Sequence, residues 1–257
     1  MDERTQPGMP EDRVEGEEPE ESAVRRRNRV NLIELAYERL EEFIVDCTLK
    51  PGFMLTIQDL QAMTGFGRTP VHQAVSRLAA DTLILVRPRH GIQIAPIDLA
   101  RDRLLLGLRK DLERFVVRLA AERSGPTHRN QAIHLERLLR ERRDGMEIGE
   151  FNLIDRRIDR LILAAAGEPF LEHTLRPLHT IFRRIGWIYH THAAGKPGAD
   201  LSIDRHLAIL SALAGRRVEE AVEASDGLMD FMDGVLLALE RSVEPALLDC
   251  RLMDDAL

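Results

Sequence analysis

The chain has 257 residues, of which 44% are hydrophobic and only 4% aromatic, and its formal net charge is −7. That length allows one large domain or two modest ones, and a composition led by Leu, Ala, Arg and Glu favours helices over sheet. The acid excess excludes a protein that coats nucleic acid with its whole surface, though not one with a local basic patch. No apolar run approaches the ~18 residues of a membrane span, and the acidic, Pro-rich start has no signal-peptide core. A cytoplasmic setting follows as the expectation, with Cys47 and Cys250 as reduced thiols.

Residues 1–28 hold abundant acids, Pro and Gly with almost nothing apolar to bury, which predicts a disordered tail. It runs into Arg25-Arg26-Arg27-Asn28-Arg29, read either as a solvated charge run or as an arm for DNA phosphates. Residues 29–97 then read as one small domain. Leu32, Leu35, Ala36, Leu40, Phe43 and Ile44 give a first helix, about 32–46, an apolar face. Five acids and one base lie between Asn31 and Asp46, but five bases and two acids between Cys47 and Ile97. The second stretch is therefore a locally positive region on an acidic protein.

Lys50-Pro51-Gly52 breaks the chain. Thr56 and Asp59 form a capping box for a short second helix, with Leu60 and Met63 inward. After the Gly65-Phe66-Gly67 turn, Thr69 is expected to cap a third helix, with Pro70 at its first position. Val71, Ala74, Val75 and Leu78 make one apolar stripe, and Thr69, His72, Gln73 and Ser76 the opposite polar one. A helix of that profile packs with one side and reads a groove with the other. Two β-prone runs, Leu83–Arg87 and Ile92–Ala95, join through Pro88-Arg89-His90-Gly91 as a hairpin, and its place after the third helix makes it a wing.

From Asp98 the pattern is helical throughout, with helices expected near 98–124, 128–144, 147–166, 169–193, 201–214 and 217–241. The fold class is thus mainly α: an N-terminal winged helix-turn-helix domain of three helices plus a β-hairpin wing, then an all-α bundle over residues 98–242. Residues 243–257 are expected to form a loose tail.

The order and spacing of these motifs resemble the GntR family of bacterial transcription regulators, in its FadR-like branch with a helical FCD effector domain. Gly67-Arg68-Thr69-Pro70-Val71-His72-Gln73-Ala74-Val75-Ser76-Arg77-Leu78 is similar to S-R-T-P-V-R-E-A-L-x-R-L. Leu108–Glu113 resembles V-R-x-x-L-E, Asp155–Pro169 resembles D-x-x-x-H-x(7)-G-N-P, and Arg205–Leu210 resembles E-H-x-x-I-L. The resemblance implies a homodimer on a palindromic double-stranded operator, a repressor released or reshaped by a small organic acid in the helical domain. It implies DNA contacts from Arg68, Thr69, His72, Gln73, Ser76, Arg89, His90 and Gly91. His72 departs from an arginine and Gly67 from a hydroxyl residue, which predicts a shifted operator preference.

In the effector half the resemblance places Arg109 as a carboxylate-binding guanidinium. It also implies a divalent metal held by one Asp and three His. Asp155 matches the Asp and His206 the third ligand, but the second falls on Asp159 and the fourth on or beside Leu228. Asp155, Asp159 and His206 could hold a hard cation with water completing the shell. The competing reading pairs the two acids with Arg156, Arg160 or Arg184 as ordinary ion pairs. His179, Arg183, Tyr189 and His190 share a helix that lines the same bundle, while Phe182 and Trp187 read as core or interface. Two further functions compete with this reading: a helical metal-dependent hydrolase using Asp155, Asp159 and His206, and a regulator that no longer senses a metabolite. No nucleophile–base pair or phosphate loop supports an enzyme.

Overall fold

The computed structural model describes residues 18–252, with side chains from Asn31 onward. Residues 1–17 and 253–257 lie outside the described residues, and with them most of the expected N-terminal tail. Residues 18–28 were expected to be disordered, but their backbone continues α1, which spans Glu18–Val45. Glu, Ala and Arg in this stretch are good helix formers, and Pro19 falls in the first turn, where it removes no helical hydrogen bond. The buried face of α1 is Ala36, Tyr37, Leu40 and Ile44, while Leu32 and Leu35 are exposed.

The first domain continues with β1 (Met54–Leu55), α2 (Ile57–Thr64), α3 (Arg68–Ala80), β2 (Ile84–Arg87) and β3 (Gly91–Ile94). The three strands form one antiparallel sheet in the order β1-β3-β2. The capping box at α2 is present: Asp59 N–H donates to Thr56 Oγ1 at 3.3 Å, and Thr56 N–H donates to Asp59 Oδ2 at 2.8 Å. Leu60 is buried, but Met63 is turned outward.

Six long helices follow: α4 (Leu99–Arg123), α5 (Pro126–Arg142), α6 (Ile148–Ala166), α7 (Pro169–Ile188), α8 (Gly195–Ala214) and α9 (Val218–Ser242). Asp98 caps α4 by accepting from Arg101 N–H at 3.0 Å. The break expected at Gly195–Gly198 is shorter than foreseen. A π-helical run, Tyr189–Ala194, leads straight into α8 at Gly195, and Pro197 sits in the first turn, where no intrahelical N–H is needed.

The C-terminal segment departs furthest from expectation. After α9 a short helix, α10 (Pro245–Leu248), returns to the first domain. Ile97 N–H donates to Leu248 O at 2.9 Å, and Cys250 N–H to Pro51 O at 2.9 Å. A Cβ on Gly52 would lie 2.0 Å from Asp249 Oδ1, so the strap lies directly on the Pro51-Gly52 turn. Residues 243–252 are therefore docked, because Leu248 offers apolar surface and two backbone groups of the first domain find partners there.

Candidate DNA-reading face and effector core

α3 begins at Arg68 with Gly67 as its N-cap, and no side chain caps it. The expected cap by Thr69 is not made; Thr69 and Pro70 are the second and third helical residues. Glycine serves as N-cap nearly as well as a hydroxyl residue, and Pro70 still falls among the unpaired N–H positions. Val71, Ala74, Val75 and Leu78 are buried as the periodicity requires. Arg68, Thr69, His72, Gln73 and Ser76 are all exposed along the other side. Ser76 Oγ donates to His72 O at 3.1 Å, which leaves its lone pairs facing outward.

The wing turn is tight. His90 N–H donates to Arg87 O at 3.0 Å, and Arg89 and Gly91 take positive φ of 65° and 93°. Arg89 and His90 are exposed at the tip, while Gly91 starts β3 and is half-buried. A Cβ on Gly91 would lie 2.7 Å from Leu55 O, so the sheet admits no side chain there. Among the described residues no carboxylate neutralises Arg68 or Arg89. The structure thus gives a rigid polar rod with a basic loop beside it, and both are free to meet phosphates and base edges.

The second group of site residues lies inside the helical bundle. Asp155 and Asp159 stand four residues apart on α6, and face His179 and Arg183, four apart on α7. Arg183 Nε donates to Asp155 Oδ2 at 2.7 Å, and its Nη2 donates to Asp159. From α8, His206 Nε2 lies 2.8 Å from Asp155 Oδ1, and its Nδ1 lies 2.8 Å from Ser202 O. Both of its ring nitrogens face acceptors, so both donate and the ring is an imidazolium. His179 Nε2 lies 2.8 Å from Glu113 Oε1 and Nδ1 lies 3.4 Å from Asp159 Oδ2. Arg109 Nε donates to the same Glu113 oxygen at 3.0 Å, and the guanidinium sits 5.2 Å from the Phe182 ring centroid. One network thus runs from α4 through α7 and α6 to α8.

Electrostatics follow from that geometry. Burial opposes ionisation of Glu113, but His179 and Arg109 outweigh it and hold its carboxyl at about 2. Burial likewise opposes the charge of Asp155, and Arg183 with His206 overcomes it, so the group stays far below the usual carboxylate range. Burial and the neighbouring Asp155 push Asp159 up, against the pull of His179 and Arg183. His206 is pushed down by burial but more strongly up by Asp155. His190, also buried, is lowered to about 4 by burial and by His206, and its Nδ1 has no hydrogen-bond partner.

Of the ligand set implied for a metal, Asp155 and His206 meet at 2.8 Å while Asp159 joins them only through Arg183, and the side chains do not fit an ion. Both carboxylates are turned onto a permanently charged guanidinium, and Leu228 lines the cavity at the fourth position. Among the described residues no three His, Cys, Asp or Glu side chains converge to hold a metal. The arginine that pairs the acids was not among the three expected. Arg156 bonds Glu41 and Glu42 of α1, Arg160 bonds Glu38, and Arg184 donates to Ala95 O. Asp226 and Asp230, near Leu228 on α9, pair instead with Arg114 and Lys110 of α4. The cavity lined by Arg109, Asp155, Arg183, His190 and His206 measures only about 40 Å³. A larger one of about 550 Å³ lies behind Asp159, His179 and Arg183, against Glu34, Glu38 and Glu41 of α1.

Sequence reasoning missed the contacts that join the two halves. Glu34 of α1 accepts from Arg77 of α3 at 2.7 Å and from Arg176 of α7 at 2.9 Å. Both guanidiniums lie 4.3 Å from the Tyr37 ring centroid, and Tyr37 donates its hydroxyl proton to Asp81 at 2.7 Å.

Comparison with known proteins agrees with this geometry. Residues 32–94 match the family described as bacterial regulatory proteins, gntR family, and residues 105–231 match the FCD domain. The HTH-type transcriptional repressor RspR of Escherichia coli K12 is 27% identical over 190 residues, covering 73% of this chain and 80% of that protein. The HTH-type transcriptional regulator BphR of Paraburkholderia xenovorans is 25% identical over 199 residues, covering 75% and 80%. The fold is shared with Escherichia coli McbR/YncC, at a TM-score of 0.70 and 20% identity over 80% of this chain and 97% of that one. It is also shared with a GntR regulator structure from Rhodococcus sp. RHA1, at 0.61 and 18% over 80% and 98%. No helix among the described residues is long and apolar enough to cross a membrane. A winged helix with an exposed reading helix, joined to a helical bundle built around a buried polar core, matches on both halves, and the chain belongs to the GntR family of DNA-binding transcriptional regulators with an FCD effector domain.

Proposed function

We propose that this regulator is a homodimeric repressor whose grip on a palindromic operator is set by a small carboxylate metabolite. The observation that carries the reading is α3, which buries Val71, Ala74, Val75 and Leu78 while Arg68, Thr69, His72, Gln73 and Ser76 stand exposed beside the Arg89–His90 wing tip. Phosphate contacts from Arg68 and Arg89 would fix the register, and His72 and Gln73 would meet base edges.

Two-fold symmetry is supported by α4. Leu104, Leu108 and Phe115 are 79%, 52% and 55% exposed at near-helical spacing, an apolar stripe that a monomer rarely leaves uncovered. A second copy laid on this stripe would set the spacing of the two reading heads. The effector reading rests on Arg109, the guanidinium that the bundle buries beside the central cavity. A volume near 40 Å³ holds about one water, so a carboxylate must displace a wall to enter. The π-helical run that carries His190 is the least regular part of that wall. An effector that binds the widened cavity would favour whichever head spacing accompanies it. Enzymatic use of Asp155, Asp159 and His206 gains no support, since all three are tied into buried ion pairs.

The test is fluorescence anisotropy with the DNA upstream of the chain's own gene, repeated across salt concentrations. Tight binding that weakens steeply with salt and falls about 5- to 100-fold in Arg68→Ala supports the reading; absent or salt-independent binding overturns it. Thermal-shift screening of small organic acids, repeated on Arg109→Leu, tests the effector class.

A further inference from the structure

We infer that the Arg183 guanidinium is the built-in cation of this effector domain, standing where the resemblance places a divalent metal, so that the bundle core is complete without one. Asp155 and Asp159 project from successive turns of α6, and Arg183 reaches across from α7 to bond both. A planar fork with several N–H donors can serve two carboxylates at once, which a lysine ammonium does less well. The Arg183 side chain is 6% exposed and the two acids 15% and 14%, so the three charges are withdrawn from water together.

The remaining donor of the implied set, His206, is engaged, and so is the neighbouring His179. The second oxygen of Asp155 faces His206 Nε2, and His179, one turn before Arg183, is held between Glu113 and Asp159. The fourth position is Leu228, which offers no lone pair. A divalent ion placed between the carboxylates would lie within a few ångströms of a guanidinium that cannot give up its proton. Burial leaves that repulsion far less screened than it would be in water. Where the resemblance implies two further histidines, the chain has Asp159 and Leu228, and Arg183 supplies the positive charge between the carboxylates. The acid at Asp159 gives the guanidinium its second carboxylate, and the aliphatic fills space that no ligand needs.

The consequence concerns which cation the domain depends on. The fold should be indifferent to chelators and to added Mn²⁺, Ni²⁺ or Zn²⁺, while loss of Arg183 leaves two buried carboxylates that a hard ion can satisfy. Untagged wild-type protein is passed through gel filtration, analysed for metal by mass spectrometry, and melted with EDTA or with each of the three ions. The expected result is negligible metal per chain and melting temperatures that coincide within about 1 °C. Arg183→Ala should melt lower in EDTA and regain about 5 °C or more with a divalent ion, a gain abolished in the Asp155→Asn/Arg183→Ala double variant. Retention of one metal per wild-type chain, lost on Asp155→Asn, overturns the inference. So does an Arg183→Ala protein that folds as well as wild type in EDTA. Should Arg183→Ala not fold in EDTA, folding restored by Mn²⁺, Ni²⁺ or Zn²⁺ supports it, and failure to fold in all four conditions counts against it.

Discussion

Replacing Arg176 by Met should loosen the bond between reading head and effector bundle by a calculable amount. Arg176 is on α7, yet its guanidinium lies 4.3 Å from the ring of Tyr37 and donates to Glu34 at 2.9 Å, both on α1. The side chains of Arg176 and Glu34 are 26% and 40% exposed, so the ion pair is worth about 0.5 kcal/mol. The ring contact is on a fully buried tyrosine and contributes about 1 kcal/mol. Met keeps most of the apolar stem, so Arg176→Met should cost about 1–2 kcal/mol, or roughly 3–6 °C in melting temperature for a chain of this size. A double-mutant cycle isolates the contact. Arg176→Met and Tyr37→Leu should couple by about 1 kcal/mol in urea denaturation followed by far-UV circular dichroism. Single-site losses that add within about 0.3 kcal/mol would refute the reasoning, because they would show that ring and guanidinium do not interact in solution.

Arg68→Ala should weaken operator binding by about 5- to 100-fold and flatten its salt dependence, read by anisotropy; an unchanged salt slope would remove Arg68 from the interface. Leu108→Glu with Phe115→Glu should convert the proposed dimer to monomer in sedimentation equilibrium, and a persisting dimer would place the symmetry axis elsewhere. Asp102, buried at the start of α4, has its carboxyl raised to about 6 by burial, from an ordinary value of 3.8. A raised acid costs nothing while protonated in both states, and its penalty grows from about pH 4 to 6 and is complete above that. Asp102→Asn should therefore match wild type at pH 4 and exceed it by at most about 3 kcal/mol at pH 8; urea midpoints that track each other at both pH values would contradict this. Gly91→Ala meets Leu55 O at 2.7 Å with φ at 93°, and should cost about 2 kcal/mol or more in the same assay, whereas a neutral result would mean that the wing relaxes freely.

The two faces of α3 were legible because a 3.6-residue period sorts Val71, Ala74, Val75 and Leu78 from the polar set without reference to any neighbour. The bundle helices were legible for a similar local reason, since Gly125-Pro126 and Gly167-Glu168-Pro169 interrupt them in sequence. What depends on a distant partner was not. Spacing puts Asp155 and Asp159 on one side of a helix, but Arg156, Arg160, Arg183 and Arg184 are equally long and equally charged. Only the packing of α7 on α6 selects Arg183. Arg184 follows it directly and is turned to Ala95 instead. The start of α3 failed more narrowly: Thr69 and Gly67 are both good caps, and the turn geometry chose the glycine. The C-terminal strap gave no periodic signal at all, because two backbone hydrogen bonds hold it and backbone groups are the same in every residue.

That strap changes what motion the effector bundle can pass to DNA. The chain crosses from head to bundle at residues 95–98, and Glu34 of α1 also holds Arg176 of α7. With Leu248 and Cys250 hydrogen-bonded to Ile97 and Pro51, the head is clasped a second time, and any swing about the crossing must break these two bonds. There is also an order of events. Leu248 emerges from the ribosome about 150 residues after Ile97, roughly 8–30 s later at ordinary synthesis speeds. The newborn head therefore folds unclasped and gains its fastener only when the rest of the protein is made.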